Sequence, residues 1–233
     1  MKKFIPLLSL ILFALPVSAQ ELSWSLHVAP GISYRLAQQQ ALSDYAQTVQ
    51  LGEKSMYVFD FGFGLQKSVS KRLDIATAIN YSQKGFSNIH VSAVYQASDL
   101  NRRYTIDFVQ DYLELPFYLT YSVMQNDKFE LYPLLGITNS LLLYEKNKVS
   151  TRSGEASAET IQLLSQPYLK SKVQHNLGAI GGIGIEGKVD PQTAIGLEAI
   201  SKIMLTPLED HFSQSRRYLY SFNLNFKFVR KIR

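Results

Sequence analysis

The chain has 233 residues, 24 of them basic and 19 acidic, and it contains no cysteine. That excludes disulfides, thiolate metal centres and a cysteine nucleophile, and a scattered excess of +5 makes no nucleic-acid-binding patch. Mean hydropathy is near zero, as in a soluble protein, but also as in strands whose apolar and polar faces cancel.

Met1-Lys2-Lys3, an apolar run from Phe4 to Val17 and the small residues Val17-Ser18-Ala19 have the form of a secretion signal. The run is short and broken by Pro6 and Pro16, so it does not read as a membrane anchor. Residues 1–19 are expected to be cleaved, leaving 20–233 as one domain with 22 basic and 19 acidic residues, a charge of +3. No other segment approaches the ~20 consecutive apolar residues of a membrane helix.

From Leu22 to Tyr34 every second residue is apolar, Pro30 included, with Ser23, Ser25, His27, Ala29, Gly31 and Ser33 between them. A strand points successive side chains to opposite faces, so this beat predicts one greasy and one small, polar face. A second strand, Met56 to Val69, sets Tyr57, Phe59, Phe61, Phe63 and Leu65 against Asp60, Gly62, Gly64 and Gln66. After the polar turn Ser70-Lys71-Arg72, a third carries Leu73, Ile75, Thr77, Ile79 and Tyr81 against Asp74, Ala76, Ala78, Asn80 and Ser82. The fourth, about Asp107 to Tyr121, aligns Leu113, Leu115, Phe117, Leu119 and Tyr121. Asn126-Asp127-Lys128 turns into a fifth with Phe129, Leu131, Leu135, Ile137, Leu141 and Leu143. The sixth, Asn176 to Gly187, is rich in glycine, which marks curvature or a close approach of lumen groups. Asp190-Pro191 leads to a seventh with Ile195, Leu197 and Ala199 opposite Gly196 and Glu198. The eighth sets Tyr218, Tyr220, Phe222, Leu224, Phe226 and Phe228 against Ser221, Asn223, Asn225 and Lys227.

Connections after the second, fourth and sixth strands are short. Those after the first, third, fifth and seventh are long: about 36–55, 83–103, 145–174 and 205–217. Outer-membrane barrels have short periplasmic turns and longer extracellular loops. The pattern therefore predicts an all-β, eight-stranded, antiparallel up-and-down transmembrane β-barrel, with both termini periplasmic and the long loops extracellular.

A lipocalin-like ligand-binding barrel also alternates, but with its greasy face inward. Volume decides against that: eight strands enclose a lumen only just filled by side chains, too narrow for the apolar set. The lipid-facing or interfacial aromatics are Trp24, Tyr34, Phe59, Phe61, Phe63, Tyr81, Phe117, Tyr121, Tyr218, Tyr220, Phe222, Phe226 and Phe228. Those near strand ends have the character of interfacial girdles.

Tyr112-Leu113-Glu114-Leu115-Pro116, running on to Tyr121, resembles a strand of the PorT-like outer-membrane β-barrel family of Bacteroidetes-type bacteria. Tyr81-Ser82-Gln83-Lys84-Gly85-Phe86 resembles a strand end of that family. Pro133-Leu134-Leu135-Gly136 and Gly182-Ile183-Gly184-Ile185-Glu186 are similar to its Gly-marked later strands. The resemblance implies a small outer-membrane barrel and, as a partner, another envelope or secretion-system protein.

Strand parity predicts a lumen-facing ionisable network of His27, Arg35, Asp60, Lys67, Asp74, Glu114, Glu130, Glu186, Glu198 and Lys227. Asp60, Glu114 and Glu198 fall near mid-height, close to the His27 imidazole. The network reads as salt bridges and water filling a narrow barrel, with a proton- or cation-responsive site around His27 as the alternative. No catalytic constellation emerges. His90, His175 and His211 sit in or beside long connections, and Asp210-His211 with Ser213 and Ser215 has no fixed geometry. No histidine pair has metal-ligand spacing, and no cofactor motif is present. The expected role is structural or interactive through the long loops, without catalysis. An enzyme acting on lipid A or phospholipid and a narrow pore are the competing readings. Expected partners are outer-membrane lipid and lipopolysaccharide, met by a monomer. Arg102, Arg103, Lys146, Lys148, Arg152, Lys170, Lys172, Arg216 and Arg217 lie near the outer rim to meet anionic headgroups.

Overall fold

The computed structural model describes residues 21–37, 53–91, 103–151, 175–206, 208–209 and 216–232. Its long strands are β1 (Leu22–Ala37), β2 (Met56–Ser68), β3 (Leu73–Val91), β4 (Arg103–Tyr121), β5 (Phe129–Thr151), β6 (His175–Lys188), β7 (Thr193–Met204) and β8 (Arg216–Ile232). Each pairs antiparallel with the next. β8 returns to β1, from Leu22↔Ile232 to Ala37↔Arg217, and closes the cylinder. Two-residue pieces at Glu53–Lys54, Met124–Gln125 and Leu208–Glu209 add to β3, β5 and β8. Over the height at which all eight strands pair, closure removes the sheet edges.

The two-residue beat sorts side chains by face. Phe61 is 48 % and Phe222 47 % exposed on the outside, and Leu135 reaches 72 %. The alternate residues Ser25, Asp60, Asn80, Glu114, Thr138, Glu198 and Asn225 are buried within. Aromatics on neighbouring strands meet along the outer wall. Trp24 stacks on Phe63 at 6.2 Å, Tyr34 on Tyr220 at 5.4 Å and Phe61 on Tyr81 at 5.1 Å. Inside, glycine makes room: a Cβ on Gly184 would fall 2.6 Å from the Tyr132 ring.

The three short turns, at one end of the barrel with both strand termini, share one device. A short polar side chain accepts the amide hydrogens two and three residues on. Ser70 Oγ accepts from Arg72 and Leu73, Asn126 Oδ1 from Lys128 and Phe129, and Asp190 Oδ1 from Gln192 and Thr193. Hydrogen bonds from the Gln192 amide and from the Thr193 side chain and amide hold the Asp190 carboxyl below its usual range.

The strands outrun their apolar beat. β3 continues to Val91 and β5 to Thr151, through stretches whose sequence reads as connection (83–103 and 145–174). Pairing from Ser82↔Tyr112 to Val91↔Arg103 and from Asp111↔Tyr144 to Tyr104↔Thr151 carries β3, β4 and β5 on as a three-stranded extension. The apolar beat reports where the outer face is greasy, whereas a ladder lasts as long as backbone partners are present. A bulge at Asp111/Tyr112 marks the transition; there both Leu143 and Tyr144 are exposed. The proposed signal segment 1–19 lies outside the described residues.

Candidate functional site

Parity aims Asp60, Glu114, Glu198 and Lys227 at the axis, and the bore binds them in two charged layers. In the layer nearer the loop end, Lys202 Nζ donates to Asp60 Oδ2 and to Glu114 Oε2, each at 2.7 Å. Lys84 Nζ donates to Glu114 Oε1, which also accepts from Ser140 Oγ at 3.0 Å. Ser82 Oγ donates to Asp60 Oδ1 at 2.9 Å. Two cations against two carboxylates leave this layer neutral, as burial of charge demands.

In the layer nearer the turn end, Lys227 Nζ donates at 3.0 Å to Glu186 Oε1 and to Gln66 Oε1, and lies 3.4 Å from Glu198. Asn225 Nδ2 donates to Glu198 Oε2 at 2.6 Å. The Tyr132 hydroxyl stands 2.8 Å from Glu198 and 2.9 Å from Glu186, donating to one carboxylate at a time. Gln66 Nε2 donates to Asp74 Oδ2 at 2.7 Å, and Ser122 Oγ donates to Glu130.

Apolar groups separate and cap these layers. Tyr132, Leu134, Ile180 and Ile200 pack together, with Tyr118 against them. Toward the loop end Phe86, Phe108, Tyr112, Met204 and Leu219 fill the bore. The Phe86 and Phe108 rings stack at 4.6 Å, and the Arg35 guanidinium sits 3.8 Å above the Phe86 ring. The turn end holds a vestibule of about 690 Å³, lined by Ser23, Gln66, Asp74, Ser122, Glu130 and Glu186 among others. At mid-height a cavity of about 20 Å³ remains, beside His27.

Two expectations change. Lys67 does not enter the lumen: it pairs with the outward-facing Leu22 and with Ile75, because it shares the odd parity of Phe61, Phe63 and Leu65. The carboxylates near mid-height take lysines as their ion-pair partners in place of the His27 imidazole. Asp60 and Glu114 pair with Lys202, and Glu198 with Lys227, since an ammonium offers three donors where an imidazole offers at most two. Lys84 and Lys202 are the missing members of the network. Each continues the inward parity of its strand, Ser82 to Lys84 and Glu198 to Lys202, so extending the strands by two to four residues finds them. The apolar plug was only half visible: Phe86 stands in a stretch that reads as connection, whereas Phe108 and Tyr112 lie on the inward parity of the fourth predicted strand, where small and polar groups are expected.

The aromatics from Trp24 to Phe228 named above all lie on the outward-facing positions of their strands. Lys146 stands 4.0 Å from the Asp111 carboxylate and Lys148 is exposed, both on β5 beyond the bulge. Arg102, Arg152, Lys170, Lys172 and the Asp210–Ser215 segment lie outside the described residues. Among the described residues no group of three or more His, Asp or Glu is placed to hold a metal ion.

No protein-family model matches the chain, and no curated protein matches it. Small barrels of known structure are similar to it. Ail, the attachment invasion locus protein of Yersinia pestis, is 14 % identical; the likeness covers 90 % of this chain and 99 % of that one, with a TM-score of 0.42. Neisserial surface protein A is 12 % identical over 92 % and 100 %, with a TM-score of 0.44. The outer membrane protease OmpT of Escherichia coli is 9 % identical over 91 % and 97 %, with a TM-score of 0.41. The barrel described above rests on its own strand pairing.

Proposed function

We propose that the chain is an integral outer-membrane β-barrel, with both termini periplasmic and the long connections extracellular, acting as a structural or interaction protein through its loop end. One observation carries this reading: large apolar side chains are exposed around the wall of a closed cylinder whose bore buries paired charges. Such inside-out polarity suits lipid, where closure also satisfies every backbone group of the wall.

The bore supports a role without transport. Five apolar side chains and a salt-bridged layer stand between the vestibule and the loop end. It also supports a role without catalysis, since the mid-height carboxylates are committed to lysines rather than left beside a nucleophile. Lipid and lipopolysaccharide are the partners of the wall, and exposed Lys148 with Lys146 suits anionic headgroups at the outer rim. The resemblance to PorT-like barrels carried by Tyr112–Tyr121 and Lys84-Gly85 suits another envelope protein as a partner.

The test is fractionation of cells expressing the full chain, with electrophoresis of unheated and boiled samples. A heat-shifted band in the outer-membrane fraction, together with no conductance in planar bilayers, is the expected result. A folded chain that stays dispersed in detergent-free buffer overturns the reading.

A further inference from the structure

The mid-height cavity is the place in the bore where polar groups and space coincide. His27, Asp60, Asn80, Lys202, Asn223 and Asn225 contribute to its walls. Asn223 and Asn225 are 1 % and 4 % exposed, and neither Oδ1 meets a donor among the described residues. Their orientation is set from the other side. Asn225 Nδ2 is turned to the Glu198 carboxylate at 2.6 Å, and Asn223 Nδ2 to the Ala29 carbonyl at 3.4 Å. Reversing Asn225 would set its oxygen against a carboxylate. Asn80 Oδ1 is also buried without a donor at full hydrogen-bond geometry, close to His27. Three residues that line one small space thus each bury an amide oxygen without a donor, and each unmet acceptor costs ~1–3 kcal/mol.

We propose that this cavity is a binding site for a single structural water, which donates its two protons to two of the amide oxygens of Asn80, Asn223 and Asn225 next to His27. Size and charge select water. A volume of about 20 Å³ exceeds the ~10–15 Å³ one water needs and admits nothing much larger. A metal cation is disfavoured because the Lys202 ammonium contributes to the same wall. A water has two protons to donate to the amide oxygens and lone pairs to accept from Asn or His27 N–H groups. It joins the two charged layers: Asn225 reaches Glu198 with its nitrogen and the water with its oxygen, and Lys202 closes the far side.

The experiment is a crystal structure of the folded mature chain finer than about 1.5 Å, paired with water-to-side-chain NOE spectra in nanodiscs. One density peak at hydrogen-bonding distances of ~2.7–3.2 Å from at least two of the three oxygens is expected, with cross-peaks to the Asn223 and Asn225 side-chain amides. Ala78→Ser, which adds a hydroxyl to the cavity wall, is expected to remove those cross-peaks while the heat-shifted band persists. A peak at metal-ligand distances of about 2.3–2.6 Å, or amides collapsed onto one another with no peak and no cross-peaks, overturns the proposal. Neither result bears on whether the barrel resides in a membrane.

Discussion

Lys202 does more in this molecule than its sequence context advertises. It follows the alternation of β7, and its ammonium lands between Asp60 of β2 and Glu114 of β4, strands that do not adjoin β7. One side chain therefore ties three parts of the wall across the axis. Removing a partner from a buried pair leaves the other charge uncompensated, which costs about 3–5 kcal/mol. Lys202→Met is expected to lose that much in urea unfolding of the bilayer-inserted protein. Lys148→Met, a change at an exposed lysine, is expected to stay within about 0.5 kcal/mol. Equal effects of the two substitutions would show that the bore network contributes little.

At the scale of the strand, closeness of neighbours decides which small residues are obligatory. Gly136 on β5 lies against β4: an added Cβ would stand 2.2 Å from the Phe117 carbonyl oxygen and 2.5 Å from Tyr118 Cβ. Both contacts belong to β4, one a backbone carbonyl and the other an atom bonded to the backbone, so nothing there is free to yield. Gly136→Ala is expected to cost about 1–3 kcal/mol in the same unfolding measurement, as overpacking does. Gly187→Ala, where an added Cβ would stand 3.9 Å from the Ile195 carbonyl oxygen, is expected to change little. The strands themselves were legible as strands: Phe59 to Leu65 and Tyr220 to Phe228 alternate without a break, and Ser70, Asn126 and Asp190 mark the turns. Strand ends were not legible, because the alternation of Leu73 to Tyr81 reports an apolar exterior and falls silent where that exterior stops. The same silence hid Lys84, two residues past Ser82, and with it half of the charged layer it completes.

For the whole molecule, polarity is inverted relative to a water-soluble domain, and substitutions on the two faces should behave accordingly. Phe61 sits midway along the outward row of β2, between Tyr57 and Leu65. If that row meets hydrocarbon, Phe61→Arg costs about 2–4 kcal/mol in bilayer-inserted protein. A stability unchanged by Phe61→Arg would remove lipid as the solvent of this face. The closed topology was within reach of the sequence because connection lengths alternate and the lumen of eight strands is too narrow for the aromatics. The unequal heights of the wall were not, since they depend on pairing beyond the greasy belt. β3 runs nine residues past Ser82, about 30 Å of strand, while among the described residues β6 begins at His175 and β7 ends at Met204. A plain cylinder looks the same from every compass direction in its own plane. This one has a front and a back, so a companion that leans on the raised side would hold the barrel at one rotational heading and leave the low side facing away.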